Sequence, residues 1–154
     1  MTAAPLPAKL EELLLEFAPL ERTERMESLI DWADLFTEVA PEVATRPFPE
    51  LNRAPRCESE AYVFATDRPD GTLQFHFAVE NPQGLSAKAW GAILDHAASG
   101  APLEQVAAID PDVIYRIFGR DLSMGKGMGL LGMLELVQFE TRKRLQAARR
   151  AADI

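Results

Sequence analysis

The sequence predicts an α+β fold in which helices cover one face of a small antiparallel sheet. Two apolar periodicities and their order along the chain predict it. Helix-spaced apolar residues occupy the N-terminal and C-terminal portions, whereas two runs rich in aromatic and β-branched residues lie between residues 59 and 79. Segregating helices from a hairpin in this way is the pattern of α+β rather than of alternating α/β units. At 154 residues, 47% of them hydrophobic, the chain has apolar material for one core and too little length for two ordinary domains. Residues 1–154 therefore read as a single domain.

The elements follow in order. Leu10, Leu13, Leu14 and Phe17 share a helix face, and Pro19 ends that helix because its ring cannot continue an interior turn. Met26, Leu29, Ile30, Ala33 and Phe36 repeat the same spacing after Thr23-Glu24, a helix start, which predicts an N-terminal helical hairpin. Prolines 41, 47, 49 and 55 mark an extended, turn-rich segment. Strands are predicted over Ser59–Ala65 and Thr72–Val79, joined by the turn-forming residues 67–71. In the second, Leu73, Phe75, Phe77 and Val79 alternate with Thr72, Gln74, His76 and Ala78, so one face is expected to be buried and the other mostly wet.

Helices return after Asn81-Pro82-Gln83-Gly84. Trp90, Ile93, Leu94 and Ala97 share a face, with Gly100 suited to a left-handed cap. Leu103, Val106 and Ala107 give a short helical turn. Asp110-Pro111-Asp112 supplies an N-cap, a first-turn proline and an acid before Val113, Ile114, Ile117 and Phe118, and Gly119 closes that helix. A last helix is predicted from about Gly129 to the tail, with Leu130, Leu134, Val137 and Leu145 inward. Arg142, Lys143, Arg144, Arg149 and Arg150 lie near its negative end.

Charge and composition remove several function classes. A net charge of -8 repels phosphate backbones and anionic lipid, so neither nucleic acid nor a membrane surface is an expected partner. The opening residues lack the pattern of a secretory signal, and no uncharged apolar stretch reaches the roughly 18 residues of a membrane span. A soluble cytoplasmic protein is the expectation. One cysteine excludes an internal disulfide. His76 and His96 have no second ligand at metal spacing, so no metal site is predicted. Gly125-Lys126-Gly127-Met128-Gly129 lacks the first glycine of a phosphate loop and the Ser or Thr after its lysine, which argues against nucleotide binding. Trp32 and Trp90 read as packing residues.

Cys57 is the one strong nucleophile. Its neighbours, Asn52 to Glu60, are polar and loop-like, which predicts an exposed thiol. Arg53 and Arg56 favour a thiolate there, and Glu58 and Glu60 oppose it.

The stretch 56–64, Arg-Cys-Glu-Ser-Glu-Ala-Tyr-Val-Phe, resembles the Gly-Cys-x-Ser-x-aromatic signature of the SufE-like sulfur acceptors, the Fe-S metabolism associated domain family that includes SufE and CsdE. Residues 88–94, with Gly91, resemble that family's central helix, and 101–106 its Thr-Pro-x-x-Ile turn. Residues 121–130 resemble its Leu-Ser/Thr-x-x-Arg-x-x-Gly motif, with Leu122, Ser123, Lys126 and Gly129 at the motif positions. Four motifs in order span nearly the whole chain. The resemblance implies a SufE/IscU-like fold with about three strands. It also implies that Cys57 accepts persulfide sulfur from a pyridoxal-phosphate cysteine desulfurase of the SufS or CsdA kind, stimulates that enzyme and delivers sulfur to a SufBCD-like scaffold. The pyridoxal phosphate would belong to the desulfurase, and this chain would bind no cofactor. Arg56, Ser59 and Lys126 would support the thiolate or contact the partner, and the protein would be a monomer or weak dimer.

Three departures stand out. Arg56 replaces the glycine before the cysteine, Lys126 replaces an arginine able to make planar bidentate contacts, and Asn81-Pro82-Gln83-Gly84 replaces an acidic pair. A cluster scaffold needs three cysteines, which excludes that role. Two rivals predict other behaviour: a desulfurase-binding regulatory module without sulfur transfer, and a single-cysteine thiol redox protein.

Overall fold

The computed structural model describes residues 4–153. Residues 1–3 and 154, which the readings of the N-terminus and of the last helix's end include, lie outside the described residues. The architecture is α+β: helices α1 (Ala8–Phe17) and α2 (Arg22–Asp34), a two-stranded hairpin β1 (Ala61–Asp67) and β2 (Leu73–Val79), then α3 (Leu85–Ala98), α4 (Leu103–Ala107), α5 (Val113–Phe118) and α6 (Met124–Ala152).

The strands pair antiparallel, with Val63 opposite Phe77 and Ala65 opposite Phe75. About three strands were expected, and two form among the described residues. The edges are closed instead by isolated bridges, Arg53 with Tyr62 beside β1 and Glu38 with Phe77 beside β2. The prolines around them prevent longer ladders because they donate no N–H.

Strand alternation places Ala61, Val63, Leu73, Phe75, Phe77 and Val79 on the inner face, where they join the core with α1, α3, α5 and α6. The outer face, expected to be mostly wet, is covered at one end, while Thr72, Gln74 and His76 are half-buried. Tyr62, Phe64 and Ala78 form a second cluster with Val39 and Phe48, which the proline-rich segment lays across the sheet. Phe48 packs its ring 5.1 Å from Tyr62 and 5.6 Å from Phe64.

Helix α1 buries the four predicted residues. Helix α2 departs from its prediction. Of its apolar stripe only Leu29 is buried, whereas Met26 and Ile30 are 50% and 41% exposed. Its start is a capping box between Glu21 and Glu24, slightly earlier than Thr23-Glu24 suggested. Arg25 fixes its position by donating to the carbonyls of Leu20, Arg116 and Ile117 at 3.1, 2.8 and 2.9 Å. Gly100 follows α3 at φ 78, and Gly119 follows α5 at φ 105, left-handed conformations that glycine adopts without a Cβ clash.

Helix α6 begins at Met124, ahead of the predicted start at Gly129, with Ser123 accepting the Lys126 N–H as its N-cap. It crosses β1 and packs on α3, α4 and α5. Two buried side chains help anchor it: the Trp90 indole donates to Leu130 O at 3.0 Å, and Gln138 donates to the carbonyls of Val106, Ala107 and Ile109. Leu145 is half-buried rather than core. No helix among the described residues is long and apolar enough to cross a membrane.

Candidate functional site

Cys57 lies in the tight return that carries the chain into β1. Ala54 N donates to Ala61 O at 2.8 Å across its neck, and Glu80 N and Asn81 N donate to Glu60 O and Ser59 O at 3.1 Å on its far side. Closing so short a return takes Arg56 to φ 61 and Glu60 to φ 53. The left-handed conformation costs a residue with a Cβ roughly 1–2 kcal/mol. At Arg56 it explains the glycine of the family motif, since glycine would enter this conformation without that cost.

The first turns of α6 run beneath the return. A Cβ on Gly129 would stand 3.2 Å from Cys57 Cα and 3.3 Å from Arg56 O, and one on Gly132 would overlap Pro55 O. Backbone therefore packs directly on helix backbone. One step of three further along the helix, Glu135 accepts from Arg56 Nη2, 3.1 Å to each carboxylate oxygen. Gly129, Gly132 and Glu135 thus follow one another in a row at intervals of three that winds gradually around the helix, and the return lies along it.

The predicted exposure of Cys57 is corrected. The thiol residue is 8% exposed and belongs to the main core cluster, while Arg56 and Glu58 on either side face solvent. Polar neighbours predicted a polar position, but the left-handed turn at Arg56 sends alternate side chains to opposite sides.

Cys57 borders a groove of about 920 Å³ between α2, the loop before α3 and the start of α6. Met26, Leu29, Leu85 and Phe118 give it apolar walls. Ser59 also lines the groove, half-buried against Gly84, where a Cβ would come 3.0 Å from its hydroxyl. A shallower depression of about 580 Å³, with Glu50, Arg53 and Pro55, meets Cys57 from the other side.

The cations predicted to favour a thiolate are arranged unequally. Arg53 faces Glu60 at 3.7 Å and Glu50 at 3.9 Å, and Arg56 is held by Glu135. In the groove, Arg22 pairs with Asp121, Arg120 with Asp112, and Arg25 with backbone carbonyls. Lys126 lines the same groove, is exposed, and has no ion-pair partner among the described residues. The structure thus brings Cys57, Ser59 and Lys126 to one groove and turns Arg56 away to Glu135. Gly132 and Glu135 were missed by the sequence reasoning. Their signal was the interval of three that continues from Gly129.

Fold and site define a class: an α+β protein whose single thiol is folded into the wall of a groove on a glycine-lined helix. The sequence profile of the family described as SufE, Fe-S metabolism associated domain, matches residues 11–141. The chain belongs to this family, and through it is associated with Fe-S metabolism. Among solved structures, it is similar to the solution structure of a hypothetical protein from Thermus thermophilus, with a TM-score of 0.73 and 24% identity over 92% of this chain and 99% of that one. At that identity the likeness is one of fold. The curated proteins give no match.

Proposed function

We infer that the protein is a sulfur acceptor and carrier, which takes persulfide sulfur from a cysteine desulfurase onto Cys57 and delivers it to iron-sulfur cluster assembly. The observation that carries this reading is the place of the sole cysteine: inside the family-matched segment, 8% exposed, at the wall of a groove with apolar walls and a charged rim.

The chemistry is thiol exchange. The Cys57 thiolate attacks the terminal sulfur of the donor persulfide, a new S–S bond forms at Cys57, and the donor's own S–S bond breaks to release its cysteine as a thiolate. Electrons balance without an external oxidant. Pyridoxal phosphate stays with the desulfurase, where it releases the sulfur from free cysteine. In this chain, Lys126 stabilises the anionic sulfur at the groove and Ser59 shapes its wall. The sheltered position suits a carrier, because an exposed persulfide is lost to oxidants and stray thiols. Uptake relieves the desulfurase of its product, and turnover rises.

Desulfurase turnover tests the reading. Wild-type protein is expected to stimulate it and Cys57→Ala to lose that stimulation while keeping its circular dichroism spectrum. Undiminished stimulation by Cys57→Ala would leave a regulatory docking module in place of the carrier.

A further inference from the structure

Cys57 is 8% exposed and its backbone is seated on Gly129 of α6, so lifting the return from α6 would present its thiol more fully. We propose that the Arg56–Glu135 ion pair is an electrostatic latch that holds this return shut and sets how often Cys57 is presented. The biological meaning rests on the carrier reading. The latch itself is a property of this chain alone.

Two opposed forces act on Arg56. Its backbone at φ 61 is in a conformation that persists only where the surroundings hold it, so strain favours release. One nitrogen of its guanidinium, Nη2, donates to both oxygens of Glu135 at 3.1 Å, a charge-assisted contact that favours closure. The glycine stripe below adds packing but no directional bond. The pair is positioned to be broken from outside, with side chains 43% and 45% exposed. A docking partner that offers a carboxylate to Arg56, or a cation to Glu135, would exchange one ion pair for another and free the return. Such a device places the release of the sulfur under the control of the protein that receives it.

The test is the rate of Cys57 alkylation by neutral iodoacetamide across pH, without any partner. Because reaction proceeds through the open return, the plateau rate at high pH follows the open population. Glu135→Gln is expected to raise that plateau by about two- to fivefold at low salt, the range of an exposed ion pair. In about 1 M salt, where screening weakens such pairs, the wild type should rise to meet the variant. Reversing the pair, with Arg56→Glu and Glu135→Arg together, should restore slow reaction. An unchanged plateau in Glu135→Gln would overturn the latch. So would a change confined to the midpoint of the pH profile, because the pair would then act on the thiolate charge and not on its presentation. Neither result bears on sulfur acceptance, which is read separately by mass, so failure of the latch and failure of the carrier reading are distinguishable.

Discussion

Replacing Gly132 with alanine places a Cβ against the Pro55 carbonyl, with Pro55 N and Cδ each 3.2 Å away. None of these atoms can rotate aside, because all belong to backbone or to a closed ring, so the return itself must move. Alanine in a helix interior is favoured over glycine by about 0.8–1.0 kcal/mol. Overpacking a fitted contact costs about 1–3 kcal/mol. The difference predicts that Gly132→Ala loses about 0–2 kcal/mol. Gly125 gives the control, since nothing lies within 4 Å of a Cβ there and alanine brings its propensity alone, up to about 1 kcal/mol of gain. Gly129, whose nearest neighbours would be 3.2–3.5 Å away, falls between. Urea unfolding should therefore rank Gly125→Ala above Gly129→Ala above Gly132→Ala. Cys57 alkylation should accelerate most in Gly132→Ala. If Gly132→Ala matched Gly125→Ala in stability and the wild type in alkylation rate, the return would not be seated on α6 and the site as described would be wrong.

Lys126→Ala should slow sulfur acceptance by up to about fivefold, the reach of one exposed charge, without moving the thermal midpoint; an unaltered rate would remove Lys126 from the site. Gln138→Met should cost about 1–3 kcal/mol in urea unfolding, because the carbonyls of Val106, Ala107 and Ile109 lose their donor. An unchanged midpoint would show that water replaces the amide. Burial holds His76 below its ordinary value, with Asp95 opposing. The unfolded chain then takes up its proton first as pH falls, so the contribution of His76 is whole above about pH 6.5 and erodes below it. His76→Gln should flatten the stability curve on that acid side, and an unaltered slope would refute the assignment.

The elements that were legible were those whose cause is local. Leu10, Leu13, Leu14 and Phe17 needed only a helix period, and the hairpin needed only alternation around residues 67–71. What was not legible depended on distant partners. Periodicity placed Met26 and Ile30 on a face but did not say whether anything would cover it, and both stay largely exposed. The non-periodic proline segment gave no sign that Val39 and Phe48 would close the outer face of the sheet. Helix α6 was started too late because glycines at 125, 127 and 129 weaken local helix preference. Gly127 and Gly129 are spaced to admit Tyr115 and the Cys57 return, which is a tertiary reason. At the groove, Cys57 was singled out by its chemistry and Lys126 by its motif position, and the structure brings both to one lining. The depth of Cys57 and the contact of Arg56 with Glu135 depend on the left-handed turn at Arg56, which no helix or strand pattern encodes.

The central claim is acceptance of sulfur at Cys57, and intact-mass spectrometry tests it most directly. The pure protein is incubated with an active cysteine desulfurase and free cysteine, with Cys57→Ala alongside. A gain of one sulfur atom on the wild type alone, removed by reductant, is the expected result. No gain with several desulfurases known to be turning over, or an equal gain on Cys57→Ala, would contradict it.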